Sequence, residues 1–421
     1  MHLRDRPGEL SRFLDHTSRA GANIAYMDFD DKGEQSDILT VSLTIESGEE
    51  VTRLLDALKE IHPLEIVEYD TTGRALDATI FYIRFAQRLR DIIGGGEDRF
   101  LMRLLHDIDH IVQSLTSRGE DPKQVFASIL ATGERLKQTV GPGFYADHQS
   151  IGLGGCLRLH CLQPPCGGNV SVLRGKDCCT MIDSGYGIYH DDLLWLLSRA
   201  SIALDDIDQL LITHADADHA GGAAQIPVKT RMHAETLEIM RRANRAYGSR
   251  LERSILEEIY THLINLFSGF RFPEEVLAFP ASSDVRRGPF RSMGQVSACG
   301  LRLEVLEGLG GHLQGQVFFI CQEPAMVFTG GTLINYASFD KERADFNDLA
   351  KRLITTVNVD GAAVKREREG LLHIIRELDA EARKKGKRCL VCPGHGPIST
   401  LEGDELRVYG TVQRIAKRDD H

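Results

Sequence analysis

Apolar positions at helical spacing open the chain. Leu10, Phe13, Leu14 and Thr17 share one face, and Gly21 is placed to stop that helix. Residues 23–29 then read as a strand. Residues 38–45 alternate apolar and hydroxyl side chains, as a half-buried strand does. Val51, Leu54, Leu55, Leu58 and Ile61 predict a second amphipathic helix, and residues 64–69 a last strand. The pattern over 1–73 is therefore helix, strand, strand, helix, strand.

Residues 74–148 change character. Phe81, Phe85, Leu89, Ile92 and Ile93 repeat at helical spacing until Gly94-Gly95-Gly96. A long amphipathic helix is expected from Phe100 to Leu115 and a third around Val125 to Leu136, closed by Gly141-Pro142-Gly143. This block reads as a helical connector. His106 and His110 lie four apart on it, but with no third ligand nearby they read as surface residues. Beyond 149, short strands over 157–162, 169–173 and 178–182 are separated by Pro and Gly turns. A helix over 191–200 and a strand over 209–213 follow.

That last strand runs into His214-Ala215-Asp216-Ala217-Asp218-His219-Ala220-Gly221-Gly222. Two His and two Asp crowded at the mouth of a buried strand are costly unless a cation neutralises them. Further on come Gly311-His312-Leu313-Gln314-Gly315, then Phe328-Thr329-Gly330-Gly331, then Pro393-Gly394-His395-Gly396. In this order the segments resemble the metallo-β-lactamase superfamily, whose usual first motif is H-x-H-x-D-H. Here Asp216 stands at the second His. The family's bridging Asp is replaced by Gly331.

The resemblance implies an αββα sandwich over 149–403, with a helical insertion at about 233–300 and a C-terminal tail over 404–421. It implies one metal position at His214, Asp216 and His312, and a second at Asp218, His219 and His395. Asp183, in Ile182-Asp183-Ser184-Gly185, would orient ligands from behind. With Gly331 in place of a bridge, one ion or two of unequal affinity are expected, and restoring Asp at 331 should fill the weaker position. Zinc comes first, with iron and manganese as alternatives. The glyoxalase II-like branch is the nearest in motif. The expected activity is hydrolysis of an ester, thioester or phosphoester by a metal-bound hydroxide, with Asp218 orienting the water. Two rival readings are a mononuclear iron dioxygenase of the persulfide dioxygenase type and a non-enzymatic metal- and amino-acid-binding sensor.

The first 73 residues, with Asp5-Arg6-Pro7-Gly8-Glu9-Leu10 and Gly21-Ala22-Asn23-Ile24, resemble an ACT domain, a ferredoxin-like regulatory module. The resemblance implies an amino-acid effector near residues 5–10 and 22–24 and pairing of two copies into a homodimer. The fold class is thus α/β with an added α+β module. Composition adds only limits. No apolar run approaches the ~20 residues that span a bilayer, and no signal-like stretch follows Met1, so a cytoplasmic location is expected. A net charge of −11 disfavours nucleic acid as a partner and leaves a small-molecule substrate. The nine Cys cannot all pair. Cys156, Cys161 and Cys166 recur every five residues, unlike metal-binding pairs, and read as buried or loop thiols with Cys166 nearest the expected cleft. Cys389 and Cys392 form a lone C-x-x-C.

Overall fold

A computed structural model describes residues 9–30, 38–45, 48–59, 74–94, 97–349 and 357–420. The chain divides into two compact units, Met1–Arg88 and Leu89–His421.

In the first unit, helix Glu9–Arg19 precedes the antiparallel pair Asn23–Asp30 and Ile38–Thr44, and helix Gly48–Lys59 follows. Phe13, Ala20, Leu54 and Leu58 form its core, with Met27, Val41 and Leu43 packed against them. Phe13, Leu54 and Leu58 are positions that the periodicity marks, and Thr17 is buried with them, whereas Leu10 and Leu14 of the same expected face are exposed. The strand expected over 64–69 and the turn at 5–8 lie outside the described residues.

The second unit is built on two eight-stranded sheets. The first runs in the order Gln413–Ala416, Tyr145–Gly154, Leu157–Gln163, Val170–Arg174, Cys179–Ile182, Gln209–Leu211, Lys229–Met232, Val276–Ala278. Its first five strands pair antiparallel and its last four parallel. The second sheet runs Arg286–Arg287, Phe290–Ala298, Leu301–Glu307, Val317–Cys321, Met326–Phe328, Leu390–Cys392, Ser399–Glu402, Glu405–Val408. Only the Met326–Phe328 and Leu390–Cys392 pair in it is parallel.

Side-chain alternation settles what each face meets. Val317, Phe319 and Cys321 point into a core that also holds Leu159, Leu173, Ile182 and Leu211 of the first sheet. Phe318 and Ile320, one residue out of phase, pack with Leu371, Ile374, Ile375 and Leu378 of helix Gly361–Lys384. A strand buried on both faces must be apolar throughout, which is why these segments read as unbroken runs.

Four expectations need correction. The helix expected from Phe100 to Leu115 is two, Asp98–His106 and Ile108–Ser117, with Asp107 (φ −89°, ψ 3°) at the joint. Apolar spacing carries across such a joint and does not reveal it. The connector does not reach 148, because Tyr145 already starts a strand of the first sheet. The insertion is helical only over Ala234–Arg242 and Ile255–Phe267, while Val276–Ala278 and Phe290–Ala298 belong to the sheets. Residues 404–421 are not a tail: Glu405–Val408 and Gln413–Ala416 close one edge of each sheet. Edge strands bury little, so their polar sequences carry no strand signal.

Candidate metal centre

The candidate residues arrive from loops at the carboxyl ends of strands. Gln209–Leu211 leads through Ile212 and Thr213 to His214, and Asp216 caps the short helix Ala217–Ala220. His312 lies between Leu301–Glu307 and Val317–Cys321, and His395 follows Leu390–Cys392. Where parallel strands end, the backbone opens outward and leaves room for such loops.

Six of the named residues converge as two groups of three. His214, Asp216 and His312 offer ligand atoms within 4.8 Å of one another, and so do Asp218, His219 and His395. Asp216 Oδ2 lies 3.1 Å from His312 Nε2 and 3.8 Å from His214 Nε2. Asp218 Oδ2 lies 3.3 Å from His395 Nε2 and 3.6 Å from His219 Nε2. Both aspartates, His312 and His395 line a cavity of about 130 Å³ with Arg245 and Tyr260.

Three of the four imidazoles are aimed from behind. Asp183 Oδ2 accepts from His219 Nδ1 at 2.8 Å. Asp183 also accepts from the Thr213 backbone N–H at 2.8 Å and from the Thr213 hydroxyl. That hydroxyl stands 2.8 Å from His214 Nδ1. Asn358 Oδ1 accepts from His312 Nδ1 at 3.0 Å. Holding the ring proton at Nδ1 leaves Nε2, on the side of the carboxylates, as the atom that would offer a lone pair to an ion once it is unprotonated. Asp183 has φ 59°, a strained geometry that places its carboxylate between Thr213 and His219.

The donor set fits a divalent cation. His214 Nε2 is fully buried and has no hydrogen-bond partner among the described residues. His219 Nε2 and His395 Nε2 face each other at 3.4 Å. Burial drives His214 well below its ordinary range and His395 down to about 4, so both rings are neutral. Burial opposes protonation of His219 too, but Asp218 and Asp183 carry it up to about 9. Asp216 is held well below the usual carboxylate range against its burial, first by Arg245 and then by His312. Imidazole with carboxylate suits zinc, iron or manganese.

Gly331 is placed differently from expectation. A Cβ there would lie 2.3 Å from His312 Nε2, so the ring fills the space a side chain at 331 would need. An Asp at 331 would need the His312 ring to shift.

Several contributors carry no motif. Arg245, from the insertion, forks onto Asp216 with Nε 3.2 Å from Oδ1 and Nη2 3.3 Å from Oδ2. Asn169 donates to the Pro393 and Gly396 carbonyls at 2.9 and 2.6 Å, and pins the loop that carries His395. Gly168 leaves room for His219, since a Cβ there would meet Cε1 at 2.4 Å. The Gly167-Gly168 pair beside a Pro-rich turn was the one available signal, and it reads only as a turn.

Among the described residues, no thiol belongs to either ligand group, though Cys166 adjoins Gly167 of the cavity wall. Burial pushes Cys166 up, Cys389 to about 12 and Cys392 well above its ordinary value, and all nine Cys are free. His106 and His110 are exposed.

No curated protein matches the chain. Among solved structures, the chain is similar to the DIM-1 metallo-beta-lactamase (14% identity, 60% of this chain and 91% of that one, TM-score 0.35). It is similar to the metallo-beta-lactamase FIM-1 from Pseudomonas aeruginosa in the mono-zinc form (15%, 60% and 89%, 0.35). It is also similar to AidC, a dizinc quorum-quenching lactonase in complex with a product (13%, 63% and 98%, 0.40). The family model described as the metallo-beta-lactamase superfamily matches residues 163–353, a span that holds every candidate ligand except His395. Placed on the two sheets and the loops at their strand ends, that match identifies residues 163–353 as a metallo-beta-lactamase superfamily domain.

Proposed function

We propose that this protein is a metal-dependent hydrolase of an ester, thioester or phosphoester. The observation that carries the reading is the convergence of two His/Asp groups on one cavity, each with a carboxylate at the cavity wall. A bound divalent ion acidifies water and polarises the bond under attack. His214, Asp216 and His312, and Asp218, His219 and His395, are the residues that would hold it.

The chain's own groups do the rest. Asp218 lines the cavity, and its carboxylate would orient the attacking water and take its proton. Asp183 and Asn358 hold His219 and His312 in register as charge builds. Ile264, Ile334 and Phe346 give the cavity an apolar wall that excludes bulk water and receives the uncharged part of a substrate. The test is turnover of p-nitrophenyl acetate and bis-p-nitrophenyl phosphate by protein loaded with zinc or manganese. Turnover that stops on chelation, returns with metal and is lost in His395→Ala supports the reading. A fully loaded protein inert toward both, or one that instead consumes oxygen, overturns it.

The first unit adds a regulatory reading. Its helix, two antiparallel strands and second helix are compatible with an ACT-like module that binds an amino acid and pairs with a second copy. Residues 22–24 of the expected ligand region begin the Asn23–Asp30 strand, and residues 5–8 lie outside the described residues. A melting-temperature rise with one of the twenty amino acids supports it. Sedimentation showing a dimer that persists without residues 1–73 would refute the pairing.

A further inference from the structure

We infer that Arg245 stands in for a second divalent cation, so that the centre holds one ion tightly, at Asp218, His219 and His395. This rests on the reading of the site as a metal centre.

The two groups of ligands look alike in composition but differ in their electrostatics. Asp216 is already neutralised. Arg245 grips both its oxygens in the paired fork geometry, the strongest arrangement available to a carboxylate outside a metal. Asp218, among the described residues, faces imidazoles: His219 and His395. A cation arriving at His214, Asp216 and His312 would have to take Asp216 from the guanidinium and then sit beside its positive charge. Asp218 faces rings that can give up a proton to an arriving cation, whereas the Arg245 guanidinium on Asp216 keeps its charge.

Arg245 is built into place. It is only 5% exposed. Ala243, with φ 48°, turns the chain out of helix Ala234–Arg242 just before it. The Arg245 backbone N–H donates to Thr261 Oγ1 at 3.0 Å, and Nη2 also donates to the Val357 carbonyl at 3.0 Å. Behind it lies Glu257, fully buried, with Oε2 3.9 Å from Nη1. An arginine held at four points within a buried shell is a fixed charge, unlike a surface side chain that happens to reach a ligand. The space between the two groups offers no bridge at Gly331, where the His312 ring leaves no room for a side chain.

The full chain is stripped of metal, reloaded with Mn²⁺ or Zn²⁺ and dialysed against a weak chelator. Bound metal is then counted by elemental analysis and titrated by calorimetry. Wild type is expected to keep one equivalent. Arg245→Gln should bind a second at least about tenfold more tightly than wild type does, and its Mn²⁺ form should show a coupled two-ion electron paramagnetic resonance spectrum. Arg245→Lys, which keeps the charge, should stay at one. Asp216→Asn should keep the tight equivalent. Two tight equivalents in wild type, an unchanged second site in folded Arg245→Gln, or loss of the tight ion in Asp216→Asn would each overturn the assignment. If Arg245→Gln fails to fold, the Arg245→Lys and Asp216→Asn arms decide alone. Wild type that binds no metal at all would sink the metal-centre reading beneath it.

Discussion

Asp183 is one residue serving three others, and its carboxylate shows how closely the ligand rings depend on what stands behind them. It fixes Thr213 at the backbone and hydroxyl, His219 at Nδ1, and through Thr213 the ring of His214. The same precision appears as missing atoms. Gly168 and Gly331 lie so near His219 and His312 that an added methyl would meet the rings at 2.4 and 2.3 Å. Both positions need the absence of a Cβ, whatever their backbone angles. We therefore expect Gly168→Ala and Gly331→Ala to fold, with unchanged far-ultraviolet circular dichroism, yet to lose about ten- to a hundredfold in metal affinity. Metal content after dialysis checks this, and wild-type retention in both variants would show that the rings have room to move. In the sequence, His214, Asp216, Asp218, His219, His312 and His395 were legible because motif order marks them. Arg245, Asn169 and Asn358 were not, since each acts across a long stretch of chain and has no local pattern.

At the scale of single elements, helix Gly361–Lys384 does two jobs. Its apolar face covers the second sheet, and its polar side holds the loop that presents His312. Glu367 Oε1 accepts from the backbone N–H groups of Leu309 and Gly311 at 2.6 and 3.1 Å, and Oε2 accepts from the Thr332 hydroxyl. Glu367 is fully buried. Removing it in Glu367→Ala strands three donors, the Leu309 and Gly311 N–H groups and the Thr332 hydroxyl, and should cost about 2 to 5 kcal/mol. Glu367→Gln keeps an acceptor for both and an amide for Thr332, so its loss should stay below about 1 kcal/mol. Urea unfolding of the two variants measures the difference, and equal losses would mean that the loop is held by other contacts.

A second element-scale effect is set by the pair His148 and His160 on neighbouring strands. Their rings stack, with Nε2 and Nδ1 3.0 Å apart. Burial lowers both, and His148 with Arg158 and Arg174 help bring His160 to about 4. The unfolded chain takes up protons near 6.5, while the folded chain resists until about 4. Between those values the unfolded state binds more protons, so this contribution is full above 6.5 and is lost as pH falls toward 4. Melting curves from pH 7.5 to 4.5 should show that decline, and His160→Gln should flatten it. A slope that the substitution leaves untouched would assign the acid sensitivity to other groups.

Across the whole second unit, what the sequence discloses follows burial. Strands such as Val317–Cys321 and Leu390–Cys392, buried on both faces, stand out as apolar runs. The edge strands Glu405–Val408 and Gln413–Ala416 carry Glu, Arg and Gln and look like a tail, because an edge has one neighbour and little to bury. Their contribution lies in pairing and charge. Gln413–Ala416 hydrogen-bonds along Tyr145–Ala146-Asp147-His148, and Arg414 pairs with Asp147 at 2.8 Å. Lys417 Nζ reaches the buried Asp192 at 2.8 Å, and the same carboxylate accepts from the Gly141 backbone. Gln149 is sealed between the Ile398 and Tyr409 carbonyls. Deleting residues 404–421 would unpair an edge in each sheet, leave Asp192 without its lysine and open the seam at Gln149. A disordered tail could be removed with no effect on the melting temperature. An integral double edge cannot, and loss of one lysine partner from a buried carboxylate alone is worth about 3 kcal/mol or more. The shortened chain is therefore expected to melt at least about 5 °C lower or to be recovered only as aggregate through its bared strands. Lys417→Met, which keeps the strand and removes only the charge, should fall between it and wild type. A deletion that melts with wild type would return residues 404–421 to the status of a tail.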